Sequence, residues 1–158
     1  MSWRRLLITP RELPRNPIML RQICVVAALA MSVPNIATAE CRLALALGLD
    51  VSGSVDAQEY RLQMNGLAEA LTDQDVSDAI FALPGFWVSV AVFEWSSSSY
   101  QNMVVNWTDL TDASVLGSVA QTLRTHDRSP APQATGLGAA MEYGTILLEN
   151  RPECWDRT

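Results

Sequence analysis

Residues 43–56 read Leu-Ala-Leu-Ala-Leu-Gly-Leu-Asp-Val-Ser-Gly-Ser-Val-Asp. An unbroken apolar run stops at Asp50, Ser52 and Ser54, three oxygen-bearing side chains spaced two apart around Gly53. A short continuous apolar run bounded by turn residues predicts a strand over 41–49, buried on both faces at the centre of a parallel sheet. Alanine and leucine are poor strand formers, so periodicity alone also admits a helix; the turn and the helical pattern behind it favour the strand. Ligands of open α/β sheets bind beyond the carboxyl ends of the strands. One carboxylate and two hydroxyls there are hard oxygen ligands, of the kind Mg²⁺ takes while keeping some of its water. Gly53 is expected to let the backbone curl so that the three side chains converge. The same residues also read as a plain helix cap, since Asp and Ser both satisfy helix N-termini. The positive helix end would repel a cation, so the carboxylate must outweigh it.

Outward from this stretch the pattern alternates. Asp56 with Glu59 resembles a capping box, and Tyr60, Met64, Leu67 and Leu71 mark the apolar face of a first helix. A short helix is expected over 75–83, closed by Pro84-Gly85. Residues 86–95 (FWVSVAVFEW) predict a second buried strand and 101–107 (QNMVVNW) a third. A connection of about five residues is too short for a parallel crossover, so these two form an antiparallel hairpin. Residues 111–125 predict a helix with Val115, Leu116, Val119 and Leu123 inward. A proline-bearing loop follows over 126–134. Thr135 is expected to open a last helix with Leu137, Met141 and Leu148 on its inner face. The order is α/β, with right-handed crossovers expected.

Ahead of this lies a segment with the parts of a secretory signal peptide. Arg21 is the positive region, Ile23–Val33 an apolar core of 11 residues and Ala37-Thr38-Ala39 a small-residue cleavage site. The core is too short to cross a bilayer of ~30 Å as a helix. An uncleaved anchor or a buried helix is the alternative. Residues 1–18, with four arginines and three prolines, read as a long basic extension or as sequence ahead of a true start at Met19. The expected domains are thus 1–39, basic extension plus signal peptide, and 40–158. The latter holds 16 of the 17 acidic residues and 6 of the 11 basic ones, a net charge near −10, and no lysine. That excludes the basic footprint of a nucleic-acid binder. It suits an exported protein, secreted or periplasmic, with no stable membrane insertion after cleavage, and an acidic surface suits cations. Two cysteines remain, Cys41 and Cys154; in an oxidising compartment they read as a disulfide or as two unrelated thiols.

Asp50-Val51-Ser52-Gly53-Ser54 resembles the first segment of the metal-ion-dependent adhesion site of von Willebrand factor type A domains. The strand–helix–strand–antiparallel strand order resembles that fold too. More narrowly, LALGLDVSGSVD, VAVFEWS and the Thr-Gly-Leu-Gly-Ala-Ala segment at 135–140 are similar to a family of secreted bacterial proteins of unknown function with a type A-like fold. The resemblance covers 41–158, three quarters of the chain. It implies a three-layer, doubly wound, Rossmann-like sheet. It also implies a divalent cation, Mg²⁺ first with Mn²⁺ or Ca²⁺ as alternatives, held by the hydroxyls of Ser52 and Ser54, by Asp50 directly or through water, and by Thr135 from a second loop. An ordinary helix cap is the other reading of Thr135. The family pattern places a further aspartate on a third loop after a fourth strand, where this sequence has none, so the sheet is expected to be truncated before strand 4. In that fold strand 4 runs beside strand 1, which implies a Cys41–Cys154 bridge.

The expected function is metal-dependent binding of a protein or peptide carboxylate, without catalysis. The alternatives are a metal-dependent hydrolase or phosphatase using Asp50, or a non-functional fragment whose exposed central strand favours aggregation. Dehalogenase-like phosphatases carry a second aspartate two residues on, where this chain has Ser52. A nucleophile elbow needs Gly-x-Ser-x-Gly, which the residues around Ser52 do not provide. His126, the one histidine, is expected to be a solvated loop residue and Glu94 a strand-end surface acid, so neither supplies a base.

Overall fold

The computed structural model describes residues 39–154. The expected signal peptide and basic extension lie outside the described residues. The elements run β1 (Glu40–Asp50), α1 (Ala57–Thr72), α2 (Gln74–Phe81), β2 (Phe86–Trp95), β3 (Gln101–Leu110), α3 (Ala113–Thr125), α4 (Leu137–Glu149) and a 3-10 turn (Pro152–Cys154). Among the described residues this is an α/β fold around an open, mixed, three-stranded sheet, consistent with a Rossmann-like pattern. The strand order is β1-β2-β3, with β1 parallel to β2 and β3 antiparallel to it.

Strand alternation sorts the side chains into two layers. Leu45, Leu47 and Leu49 of β1 and Val88, Val90 and Val92 of β2 face α1, α2 and α3, where Tyr60, Met64, Ala68, Leu116, Val119 and Leu123 close the larger core. Ala46, Phe93 and Trp95 point the other way, onto Ala140, Tyr143 and Leu147 of α4. Helices thus cover both faces of the sheet. Local signals start the helices as the sequence implies. Asp56 accepts from the amides of Gln58 and Glu59 at 2.7 and 2.8 Å while Glu59 reaches back to the Asp56 amide at 2.9 Å, a complete capping box. Asp73 and Asp112 cap α2 and α3 in the same manner.

Three expectations need correction. Among the described residues β1 pairs with β2 alone, and every residue from Arg42 to Asp50 keeps some exposure, Leu43 as much as 42%. The strand buried on both faces is β2, where each residue from Val88 to Trp95 is buried. The third strand runs three residues past Trp107, because Thr108, Asp109 and Leu110 continue the ladder opposite Val90, Ser89 and Val88. Arg151 holds that extension. Its guanidinium donates to the buried Ser89 hydroxyl at 2.9 Å, pairs with Asp109 and Glu153, and lies over the Trp107 ring. Finally, of Leu137, Met141 and Leu148 on α4, only Leu148 is half-buried. Leu137 and Met141 are 58% and 66% exposed. The rings of Phe93 and Trp95 instead meet Ala140, Tyr143 and Leu147, with Tyr143 edge-on to Phe93.

The expected disulfide is present. Cys41 and Cys154, both buried, are bonded with Cα atoms 4.6 Å apart, tying the start of β1 to the turn after α4. Among the described residues no helix is long and apolar enough to cross a membrane.

Candidate functional site

Asp50 ends β1, and its backbone register pairs it with Trp95. By alternation its side chain falls on the α4 side of the sheet, with Ala46. The chain then turns. The Asp50 carboxylate accepts the Ser52 amide at 2.7 Å, an Asx-type closure of the loop, and the Val51 amide continues the sheet onto the Trp95 carbonyl at 2.9 Å. Ser52 is fully buried, and its hydroxyl lies 3.3 Å from that of Ser54. The loop carbonyls are already engaged. Gln63 donates to the Asp50 carbonyl at 3.3 Å, and Arg128 donates to those of Val51, Ser52 and Val55 at 2.8, 3.2 and 2.7 Å. With the carbonyls of Asp50, Val51, Ser52 and Val55 committed, the side-chain oxygens of Asp50, Ser52 and Ser54 are the charged and hydroxyl groups the loop can offer a ligand.

Their spacing suits a cation. Neighbouring oxygens around an octahedral Mg²⁺ at ~2.1 Å lie about 3.0 Å apart, and around a larger Ca²⁺ at ~2.4 Å about 3.4 Å. The Ser52–Ser54 separation of 3.3 Å falls in that range. The two hydroxyls hydrogen-bond to each other, a contact that a bridging cation would replace, and Asp50 would supply the charge. Among the described residues no group of three His, Cys, Asp or Glu side chains gathers tightly enough to hold a metal. A cation here would rest on one carboxylate and on hydroxyls.

Thr135 lies on the loop from 126 to 136, which is fastened to this turn. The Gly53 amide donates to the Gln133 carbonyl at 3.1 Å, and the Gly136 amide donates to the Ser96 carbonyl at the end of β2. Thr135 sits between those two anchors and is exposed. It does not open the helix: α4 starts at Leu137, with Gly136 in the capping position and no side-chain cap. Both glycines are explained by close approach. A Cβ on Gly53 would lie 2.2 Å from Gln133 Oε1 and 3.0 Å from its carbonyl oxygen, and one on Gly136 would lie 2.6 Å from the Ser98 amide. The backbone curl expected of Gly53 is not the reason, since the single positive φ among the described residues is that of Gly85.

Sequence reasoning missed a polar cluster behind the loop. Glu94 is not a surface acid but fully buried, because its parity puts it with Val88, Val90 and Val92 under α1. One carboxylate oxygen accepts the Tyr60 hydroxyl at 2.7 Å, and the other has no hydrogen-bond partner. His126 is not a free loop residue either; its Nε2 lies 3.5 Å from Glu94 and its imidazole is 24% exposed. Arg61 and Arg128 both stand over the Tyr60 ring, at 5.5 and 5.8 Å from its centre. Arg61 also fastens the start of the loop, through the His126 carbonyl at 3.0 Å and Asp127 at 2.9 Å. Burial, and then the bond to the Glu94 carboxylate, push the Tyr60 phenol above its ordinary 10.0. The signal available in the sequence was the flanking of Glu94 by Phe93 and Trp95 in a strand expected to be buried throughout.

No curated protein matches this sequence. A family described as proteins of unknown function (DUF1194) matches residues 40–158, and with that span covered the chain belongs to this family.

Proposed function

We propose that this is an exported binding module of von Willebrand factor type A-like design. Its Asp50–Ser54 loop holds a divalent cation that captures a carboxylate of a protein or peptide partner. The observation that carries the reading is the pair of hydroxyls 3.3 Å apart beside a carboxylate at the end of a strand. Asp50, Ser52 and Ser54 would hold the ion, with Thr135 on the adjoining loop as a fourth oxygen. A cation with a single anionic ligand keeps most of its positive charge and favours an outside carboxylate. Mg²⁺ comes first on ligand chemistry, with Mn²⁺ or Ca²⁺ as substitutes. The disulfide supports export, since such bonds persist in oxidising compartments.

The role is binding without turnover. A hydrolase using Asp50 would need a base within reach of the reacting atoms. The nearest acid by register, Glu94, is fully buried on the opposite face of the sheet and already accepts the Tyr60 hydroxyl. The test is thermal unfolding with and without Mg²⁺ or Mn²⁺. At a hundredfold excess over Kd, binding should add about 2.7 kcal/mol. Asp50→Asn, which removes the charge but keeps an acceptor for the Ser52 amide, should remove that gain while the metal-free protein melts near the wild-type temperature. A wild-type protein indifferent to all three cations would sink the reading.

A further inference from the structure

We infer that Arg128 is the positioning residue of the cation loop, an assignment that rests on the reading above. The carbonyls of Val51 and Ser52 belong to the two peptide planes that flank the Ser52 Cα, and one guanidinium nitrogen of Arg128 binds both, at 2.8 and 3.2 Å. Fixing two successive planes fixes the Ser52 φ and ψ, and with them the direction of its Cβ. The other terminal nitrogen holds the Val55 carbonyl at 2.7 Å, on the far side of Ser54. A single planar fork therefore sets the backbone on both sides of the two hydroxyls.

The fork is itself held. It stands over the Tyr60 ring, and Tyr60 is anchored through its hydroxyl to the buried Glu94. Arg128 also belongs to the loop that carries Thr135, so the same residue sets both halves of the proposed ligand set against each other. Its positive charge opposes a nearby cation, which makes the assignment sharp in sign. If positioning dominates, loss of Arg128 weakens cation binding; if repulsion dominates, loss of Arg128 strengthens it.

The experiment uses the full chain with Arg128→Lys and Arg128→Met, read in two ways. Hydrogen exchange follows the amides of Ser52, Gly53 and Val55, which are bonded to Asp50, Gln133 and Ser52, with α3 as the internal control for global folding. Free Mn²⁺, measured by its paramagnetic resonance signal, reports affinity. We expect loop exchange at least ~10-fold faster in both variants with α3 unchanged, and Mn²⁺ affinity lower by about 10–100-fold, the usual effect of losing a group that orients a ligand. Lysine keeps the charge but not the fork, so it should not restore the loop. Full rescue by lysine, tighter Mn²⁺ binding in Arg128→Met, or exchange that rises equally in α3 would each overturn the assignment. A wild-type protein that takes up no Mn²⁺ while both variants loosen the loop alone would refute the metal reading and leave the clamp standing.

Discussion

Removing the disulfide should cost this domain a large part of its stability. The bond joins Cys41 to Cys154 across 113 positions of sequence, nearly the whole described fold. In the chain-entropy treatment, closing a loop of that length withdraws about 16 cal/mol/K from the unfolded ensemble, or ~4.8 kcal/mol at 25 °C. A domain of this size is stable by roughly 6–17 kcal/mol in total. Both cysteines are buried, at 1% and 4% exposure, so a Cys41→Ala, Cys154→Ala double variant loses two sulfurs from a packed site as well. The assay is urea unfolding followed by tryptophan fluorescence. With a slope of ~2 kcal/mol/M the midpoint should fall by about 2 M. The single variants should behave like the double one, because either removes the same cross-link. A midpoint shift under ~0.5 M would mean that the cross-link constrains the unfolded chain far less than its span requires, and the reasoning would fail.

Two further perturbations test the core of the site and its surroundings. The Tyr60 phenol is raised above 10.0 in the folded chain, so it contributes stability that is fully present below pH 10 and lost as pH rises beyond it. Tyr60→Phe should remove that alkaline loss and cost about 1–3 kcal/mol at pH 8 by leaving the buried Glu94 side chain without its hydrogen bond; an unchanged alkaline slope would show that the buried Tyr60 phenol is not the group responsible. Alanine at the glycines should divide by surroundings. Gly136→Ala should destabilise by about 1–3 kcal/mol, because its Cβ meets the main chain of Ser97 and Ser98, whereas Gly117→Ala, inside α3 with nothing within 4 Å, should stabilise by about 0.5–1 kcal/mol. The reverse order in a melting comparison would refute the close-approach argument.

The parts of the fold that the sequence made legible are those fixed by local chemistry. The Asp56–Glu59 box, the hairpin between β2 and β3 and the valine-rich β2 are each written within a few residues. The parts that escaped depend on what lies across a gap. A Leu137–Met141 stripe has the spacing of an inner face, yet the aromatic rings of β2 meet Ala140, Tyr143 and Leu147 instead. Thr108-Asp109-Leu110 falls between the expected strand and the expected helix, and Arg151, 42 residues past Asp109, supplies the partner that keeps it extended. The Asp50–Ser54 loop was visible as a motif. Its fastening by Arg128 was not, because an arginine beside prolines in a polar loop carries no periodicity and no spacing rule.

Glu94 shows how much of the site lay in what was missed. A cation bound as proposed would lie close to the guanidinium that holds its loop, and Arg61 adds a second positive group over the same tyrosine. Buried charge is tolerated where it is paired and hydrogen-bonded. Glu94 provides an acid from beneath: it accepts a hydrogen bond from the Tyr60 hydroxyl, sits 3.5 Å from His126, and keeps one oxygen without a hydrogen bond. In the proposed reading, this buried acid stands behind the tyrosine on which both arginines rest, a counter-charge to the guanidinium that grips the loop carbonyls.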